Sequence, residues 1–151
     1  MLADAIDRWA RESPDRTAII HNGHAMSYAA FARGVHACRR FLAGQGLPAG
    51  GTAVIAAESL RDAWLLVLGL RATGLDTICA PSVQHVEALG LRTPACIVST
   101  EAERSSAADT GRHRTVIVPV AIFAALGSGE PGAAAPLGAR GGGHILHTSG
   151  S

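Results

Sequence analysis

Lysine is absent. All 13 basic residues are arginine, set against 12 acidic ones for a net charge of +1. A codon bias toward Arg and Ala accounts for this, yet it has a chemical consequence. These 151 residues cannot supply the mobile ammonium that many phosphate-transfer sites use. The small net charge also excludes the strong field that would draw nucleic acid or an acidic membrane. Aromatics are scarce: three Phe, two Trp and one Tyr. Trp9 and Trp64 stand among apolar neighbours at helical spacing and read as core rather than as ligand platforms. The three cysteines, Cys38, Cys79 and Cys96, are odd in number and far apart, with no Cys-x-x-Cys pair to suggest zinc or a redox switch. They read as buried, reduced thiols. No apolar run approaches the roughly 20 residues that cross a bilayer; the longest, 63–70, is bracketed by Asp62 and Arg71. Residues 1–8 carry acids where a signal peptide has a basic region. The expectation is a soluble, cytoplasmic protein with no membrane span and no nucleic-acid partner.

What is present is enough for one domain. Hydrophobic residues make up 48% of the chain, and a closed domain of this length buries roughly 68–70% of its unfolded surface. Leu2, Ile6 and Trp9 recur at helical spacing until Ser13-Pro14-Asp15 ends the helix. Thr17–His21 and His24–Ser27 are extended runs around Asn22-Gly23, a pair suited to a type I′ hairpin turn because both residues tolerate positive φ. Ser27 then caps a helix whose apolar positions are Tyr28, Phe31, Val35, Cys38 and Leu42, with Arg33, Arg39 and Arg40 mostly off that stripe. Residues 52–57 read as a strand, and Ser59-Leu60-Arg61-Asp62 as a capping box opening a helix over 60–73. That helix is apolar nearly all round, as in helices buried deep or at an interface.

Gly74 stops it. Strands over 75–80, 95–99 and Thr115–Val118 follow, with short helices over 83–89 and 121–126, and Thr100-Glu101-Ala102-Glu103 as a second capping pattern. The alternation predicts an α/β fold of layered βαβ units with a parallel sheet. Residues 1–126 form the α/β segment, the Gly/Ala/Pro-rich 127–143 a flexible connection, and 144–151 a strand entering a loop.

Four stretches in this order resemble the N-terminal part of the adenylate-forming superfamily, which includes acyl-CoA synthetases, aryl-acid ligases, luciferases and non-ribosomal peptide adenylation domains. Pro14-Asp15-Arg16-Thr17-Ala18 is similar to its opening "P-D-x-x-A" strand. Met26-Ser27-Tyr28-Ala29-Ala30-Phe31 is similar to "L-T-Y-x-E-L". Gly46-Leu47-Pro48-Ala49-Gly50-Gly51-Thr52-Ala53-Val54 resembles "G-V-x-x-G-D-x-V". Thr148-Ser149-Gly150-Ser151 matches the start of the "T-S-G-[ST]-T-G-x-P-K" phosphate loop. The departures are Gly51-Thr52 where the family has Asp and a polar residue, Ala30 in place of Glu, the stretch 77–82, Gly141-Gly142-Gly143 before the loop, and His147 where Tyr or Phe is usual.

The resemblance implies the N-terminal portion of the large domain of an enzyme in which ATP, with Mg²⁺, and a small carboxylic acid form an acyl-adenylate and pyrophosphate. CoA or phosphopantetheine then takes the acyl group. Thr148, Ser149, Gly150 and Ser151 would contact the ATP phosphates, since hydroxyls and backbone N–H groups stabilise such charge. An isolated chain end of this kind is otherwise expected to fray. The loop is cut after four residues, so the chain reads as an inactive N-terminal fragment whose partner is the remainder of its parent.

Two other readings stay open: a non-catalytic α/β scaffold binding a partner through the Trp64–Leu70 helix, and a small nucleotide-binding domain of flavodoxin-like layout. His21 and His24 flank the hairpin turn and form a two-imidazole metal candidate that lacks the further ligands of a usual zinc site. His144 and His147 are three apart on a strand and point to opposite faces. No Gly-x-Ser-x-Gly elbow occurs, so a hydrolase reading has no support.

Overall fold

In a computed structural model, residues 2–88, 90, 94–101, 113–124 and 144–145 are described. The elements follow in chain order. Helix α1 (Leu2–Glu12) leads into the hairpin strands β1 (Thr17–His21) and β2 (His24–Ser27) and then α2 (Tyr28–Ala43). Next come β3 (Thr52–Ala56), α3 (Leu60–Ala72), β4 (Asp76–Ala80), α4 (Gln84–Ala88) and β5 (Cys96–Thr100). Last are β6 (Thr115–Val118), α5 (Val120–Ala124) and β7 (His144–Ile145). The capping pattern expected from Thr100 onward, the connection 127–143 and the loop 146–151 fall wholly or largely outside the described residues.

The local chemistry sets the boundaries. Asn22 (φ 49°) and Gly23 (φ 77°) both adopt the left-handed region that the hairpin turn requires, joining antiparallel β1 and β2 in the register His21↔His24. Ser27 Oγ accepts the Ala30 N–H at 3.3 Å at the start of α2, and Ser59 Oγ accepts the Asp62 N–H at 3.3 Å at the start of α3. The Asp62 carboxylate accepts a 2.7 Å hydrogen bond from Arg61 Nε.

The residues that resemble the "P-D-x-x-A" and "L-T-Y" motifs have structural work. Arg16 O accepts the Tyr28 N–H, and Pro14 O accepts the Ala29 N–H. The Arg16 guanidinium lies 5.1 Å from the Trp9 ring centroid, and Trp9 stacks on Tyr28 at 5.9 Å. Together they tie α1, β1 and α2 into one corner.

The main sheet has five strands in the order β6-β5-β3-β4-β7, every neighbouring pair parallel. Its two faces separate cleanly. Ala53, Ile55, Cys96, Val98, Val116 and Val118 meet α1, α2, α3 and Phe123 in the larger core. Val54, Ala56, Ala80 and Ile97 pack with Val83 and Val86 on the opposite side. Helix layers on both faces bury β3 and β5 almost throughout, including polar Ser99 and Thr100 of β5, as in parallel sheets covered on both sides. The first four parallel strands follow the flavodoxin order, but β7 sits at the β4 edge instead of beyond β6. That placement departs from a flavodoxin-like layout.

Two sequence expectations are corrected. Trp64 is 49% exposed and Leu60 68%. These two stand four residues apart on the outer side of α3, while Leu65, Leu66 and Leu70 fill the inner side. Apolar neighbours in sequence therefore misled, because among the described residues α2 and the sheet cover α3 on its inner side only. Cys79 is exposed, unlike buried Cys38 and Cys96. It lies one residue beyond the last β4–β7 pair (Ile78↔Ile145), so among the described residues it has β3 alongside but no strand on its outer side.

Candidate functional site

Because all five strands are parallel, their carboxyl ends share one edge. From β3 the chain continues to β4 on one side and from β5 to β6 on the other, which places a topological switch point between β3 and β5. In open α/β sheets the crevice outside the strand ends at such a point is where ligands bind. Strand β7 lies beside β4 in the register Thr77↔His144 and Ile78↔Ile145, so its carboxyl end opens at that same edge. Thr148, Ser149, Gly150 and Ser151 themselves lie outside the described residues, as do His147 and the comparison of His144 with it.

Most polar side chains at this edge are engaged in local structure. Ser59 caps α3. Glu101 Oε2 accepts the Val120 N–H at 2.8 Å, holding the start of α5 against the end of β5. Ser82 Oγ is 2.9 Å from His85 Nδ1 where the chain turns into α4. Glu101 is a structural tie that sequence spacing did not suggest, since it joins residues 19 apart.

Burial holds the three thiols in their protonated, weakly nucleophilic form. Burial, reinforced by the Asp62 carboxylate, pushes Cys38 up to about 12. Burial raises Cys96 to about 11 against the opposing pull of Arg114. Cys79 is exposed at its surface, yet desolvation by its surroundings also raises its pKa. A thiol attacks as thiolate, so all three are poorly poised at neutral pH.

A second concavity of about 770 Å³ opens between the hairpin and the amino ends of α2 and α3. Ile19, Met26 and Phe123 contribute apolar walls, and His21, His24, Arg61 and Asp62 contribute polar ones. Sequence reasoning paired His21 with His24 through the turn but had no signal that Arg61 and Asp62 face the same space. Among the described residues, no group of three or more His, Cys, Asp or Glu is arranged to hold a metal ion. No helix among them is long and apolar enough to cross a membrane.

No protein-family model matches the sequence, and no curated protein matches it. Solved structures do. An AMPPNP-bound form of the non-ribosomal peptide synthetase FmoA3 superposes with a TM-score of 0.70 at 16% identity, over 99% of this chain and 16% of that one. NpsA–ThdA, an artificially fused adenylation–PCP di-domain from Klebsiella oxytoca, gives 0.69 at 20% identity over 98% and 28%. A protein named as a long-chain-fatty-acid CoA ligase from Rhodopseudomonas palustris gives 0.68 at 22% identity over 98% and 41%. The chain thus spans well under half the length of these proteins. It has the α/β fold of the N-terminal portion of adenylation domains.

Proposed function

We propose that this chain is the N-terminal segment of an AMP-forming carboxylic acid ligase, which joins ATP and a small carboxylic acid as an acyl-adenylate and passes the acyl group to CoA or phosphopantetheine. The observation that carries the reading is the fold: 98–99% of the chain superposes on adenylation and CoA-ligase structures, in FmoA3 one holding AMPPNP and another an α-methyl-L-serine–AMP. The order of the four sequence motifs supports it independently of that superposition. On this reading Thr148, Ser149, Gly150 and Ser151 contact the ATP phosphates, and the protein works in the cytoplasm.

The described residues contain no metal-ligand cluster and only thiols with raised pKa values. These residues offer no Mg²⁺ site; on the ligase reading the Mg²⁺ ligands and the acid pocket lie in the remainder of the parent, and the 151 residues alone are inactive. The deciding experiment sequences the source DNA past codon 151 and assays the full product for acid-dependent ATP–pyrophosphate exchange. Continuation through Thr-Gly-x-Pro-Lys, with exchange driven by some carboxylic acid in a broad panel, is the expected result. A stop codon after Ser151, or a full product without exchange for any acid, overturns the ligase reading.

One observation favours a second reading, a scaffold that binds a partner without catalysis: Leu60 and Trp64 present an exposed apolar pair on α3. Full-length product that lacks exchange but captures a partner through this pair would select it.

A further inference from the structure

The hairpin turn carries a feature that the ligase reading leaves unused. His21 and His24 are directly opposed register partners flanking Asn22-Gly23, and both line the concavity beside the hairpin. Opposed residues of an antiparallel pair put their side chains on one face of the ribbon with Cβ atoms about 4.5–5.5 Å apart. The two left-handed residues of the turn fix that register, so the backbone sets the two histidines opposite each other before any ligand arrives. His24 and Ala25 are exposed and His21 is half-buried, which leaves the site open to ions from solvent.

We propose that the β1–β2 turn is a two-imidazole site for a late first-row divalent ion, copper(II) above zinc(II), with water filling the remaining positions. Imidazole suits copper, nickel and zinc, and affinity at a nitrogen site rises to copper and falls at zinc. Magnesium takes oxygen ligands and does not compete here. No third His, Cys, Asp or Glu completes the set among the described residues. The site is therefore an exchangeable docking point for the ion, in contrast to the closed four-ligand cage of structural zinc.

The imidazoles of His36 and His85 already have side-chain partners. His36 Nε2 lies 2.8 Å from the Asp7 carboxylate, and His85 Nδ1 is 2.9 Å from Ser82 Oγ. The opposed pair thus offers two nitrogens at one place where the other described histidines offer at most one.

Copper(II), zinc(II) and magnesium are titrated calorimetrically into the 151-residue chain in a non-chelating buffer. The expected result is one tighter copper site, weaker zinc at the same place and no magnesium heat. His21→Ala and His24→Ala should each weaken the copper site by tenfold or more, and the double variant should add little further. The double variant His24→Ala/Ala25→His keeps the number of imidazoles but moves one to the opposite face; it should lose the tight site while its far-ultraviolet dichroism stays that of the parent. Copper electron paramagnetic resonance reports two equatorial nitrogens in the parent and one in each single variant. Single variants that bind copper as tightly as the parent, or retention of the tight site in the face-swapped variant, overturn the proposal.

Discussion

At Cys38 the surrounding core opposes ionisation twice over, by removing water and by placing the Asp62 carboxylate nearby. An acid whose folded pKa is raised keeps its proton after the unfolded chain has lost its own. The folded state then binds more protons, and stability falls as pH rises. For Cys38 the loss begins near the ordinary thiol value of 9.0 and continues to about 12. Cys38→Ala removes that term, so its stability relative to the parent should improve between those limits. Urea midpoints measured across the alkaline range check the slope, and parallel curves would show that Cys38 ionises alike in both states. The same environment directs reactivity. Under native conditions, iodoacetamide should label exposed Cys79 well before buried Cys38 and Cys96, as read by mass spectrometry.

Gly51 shows a different constraint. A Cβ there would stand 2.7 Å from Ala95 Cβ and 3.1 Å from Pro48 O. Gly51→Ala should therefore cost about 1–3 kcal/mol through overpacking. Adding Ala95→Gly should return part of that loss, because it removes the nearest obstacle. The same contact explains why the Asp common at this position in the similar family does not fit here: Ala95 occupies the space. An unchanged thermal midpoint in Gly51→Ala would show that the turn is looser than this geometry.

At the scale of elements, the contact of α2 with α3 decides how the larger core closes. A Cβ added at Gly69 would meet Cys38 Cβ at 3.0 Å and the Arg39 backbone N at 3.2 Å. Helix propensity alone favours Gly→Ala by roughly 0.5–1 kcal/mol. Forcing apart two packed helices costs about 1–3 kcal/mol, so Gly69→Ala should destabilise on balance. A variant more stable than the parent in urea would mean that α2 yields easily. The elements themselves were largely legible in sequence: Ser27 and Ser59 announced α2 and α3, and Asn22-Gly23 announced the hairpin, because caps and turns are local chemistry. Strand order was not legible. Nothing in His144-Ile145 says that β7 joins β4 instead of β6, since pairing partners are chosen across the whole chain. The site was legible to the same degree. The His21–His24 pair followed from the turn, whereas Arg61 and Asp62 enter the same concavity only through the docking of α3 beside the hairpin.

At the scale of the whole molecule, the outer side of α3 leaves apolar surface uncovered on a helix otherwise committed to the core. Leu60 and Trp64 stand one turn apart and are both well exposed, while the other side of α3 is buried. If a longer chain folds over this ridge, Trp64 becomes a reporter of that event. The other tryptophan, Trp9, is held against Tyr28 and Arg16, so Trp9→Phe leaves emission to Trp64 alone. In the 151-residue chain that emission should be red-shifted and readily quenched by iodide. In a full-length product covered at α3 it should move to the blue and resist quenching. Leu60→Lys with Trp64→Lys should change the stability of the short chain by no more than about 0.5 kcal/mol, as surface substitutions do. The same pair should destabilise the full product, where two charges would be forced into an apolar contact. Equal quenching of Trp64 in short and full-length proteins, with the lysine pair tolerated in both, would show that the ridge stays open to solvent. It would then be available to a separate partner, which is the outcome the scaffold reading requires.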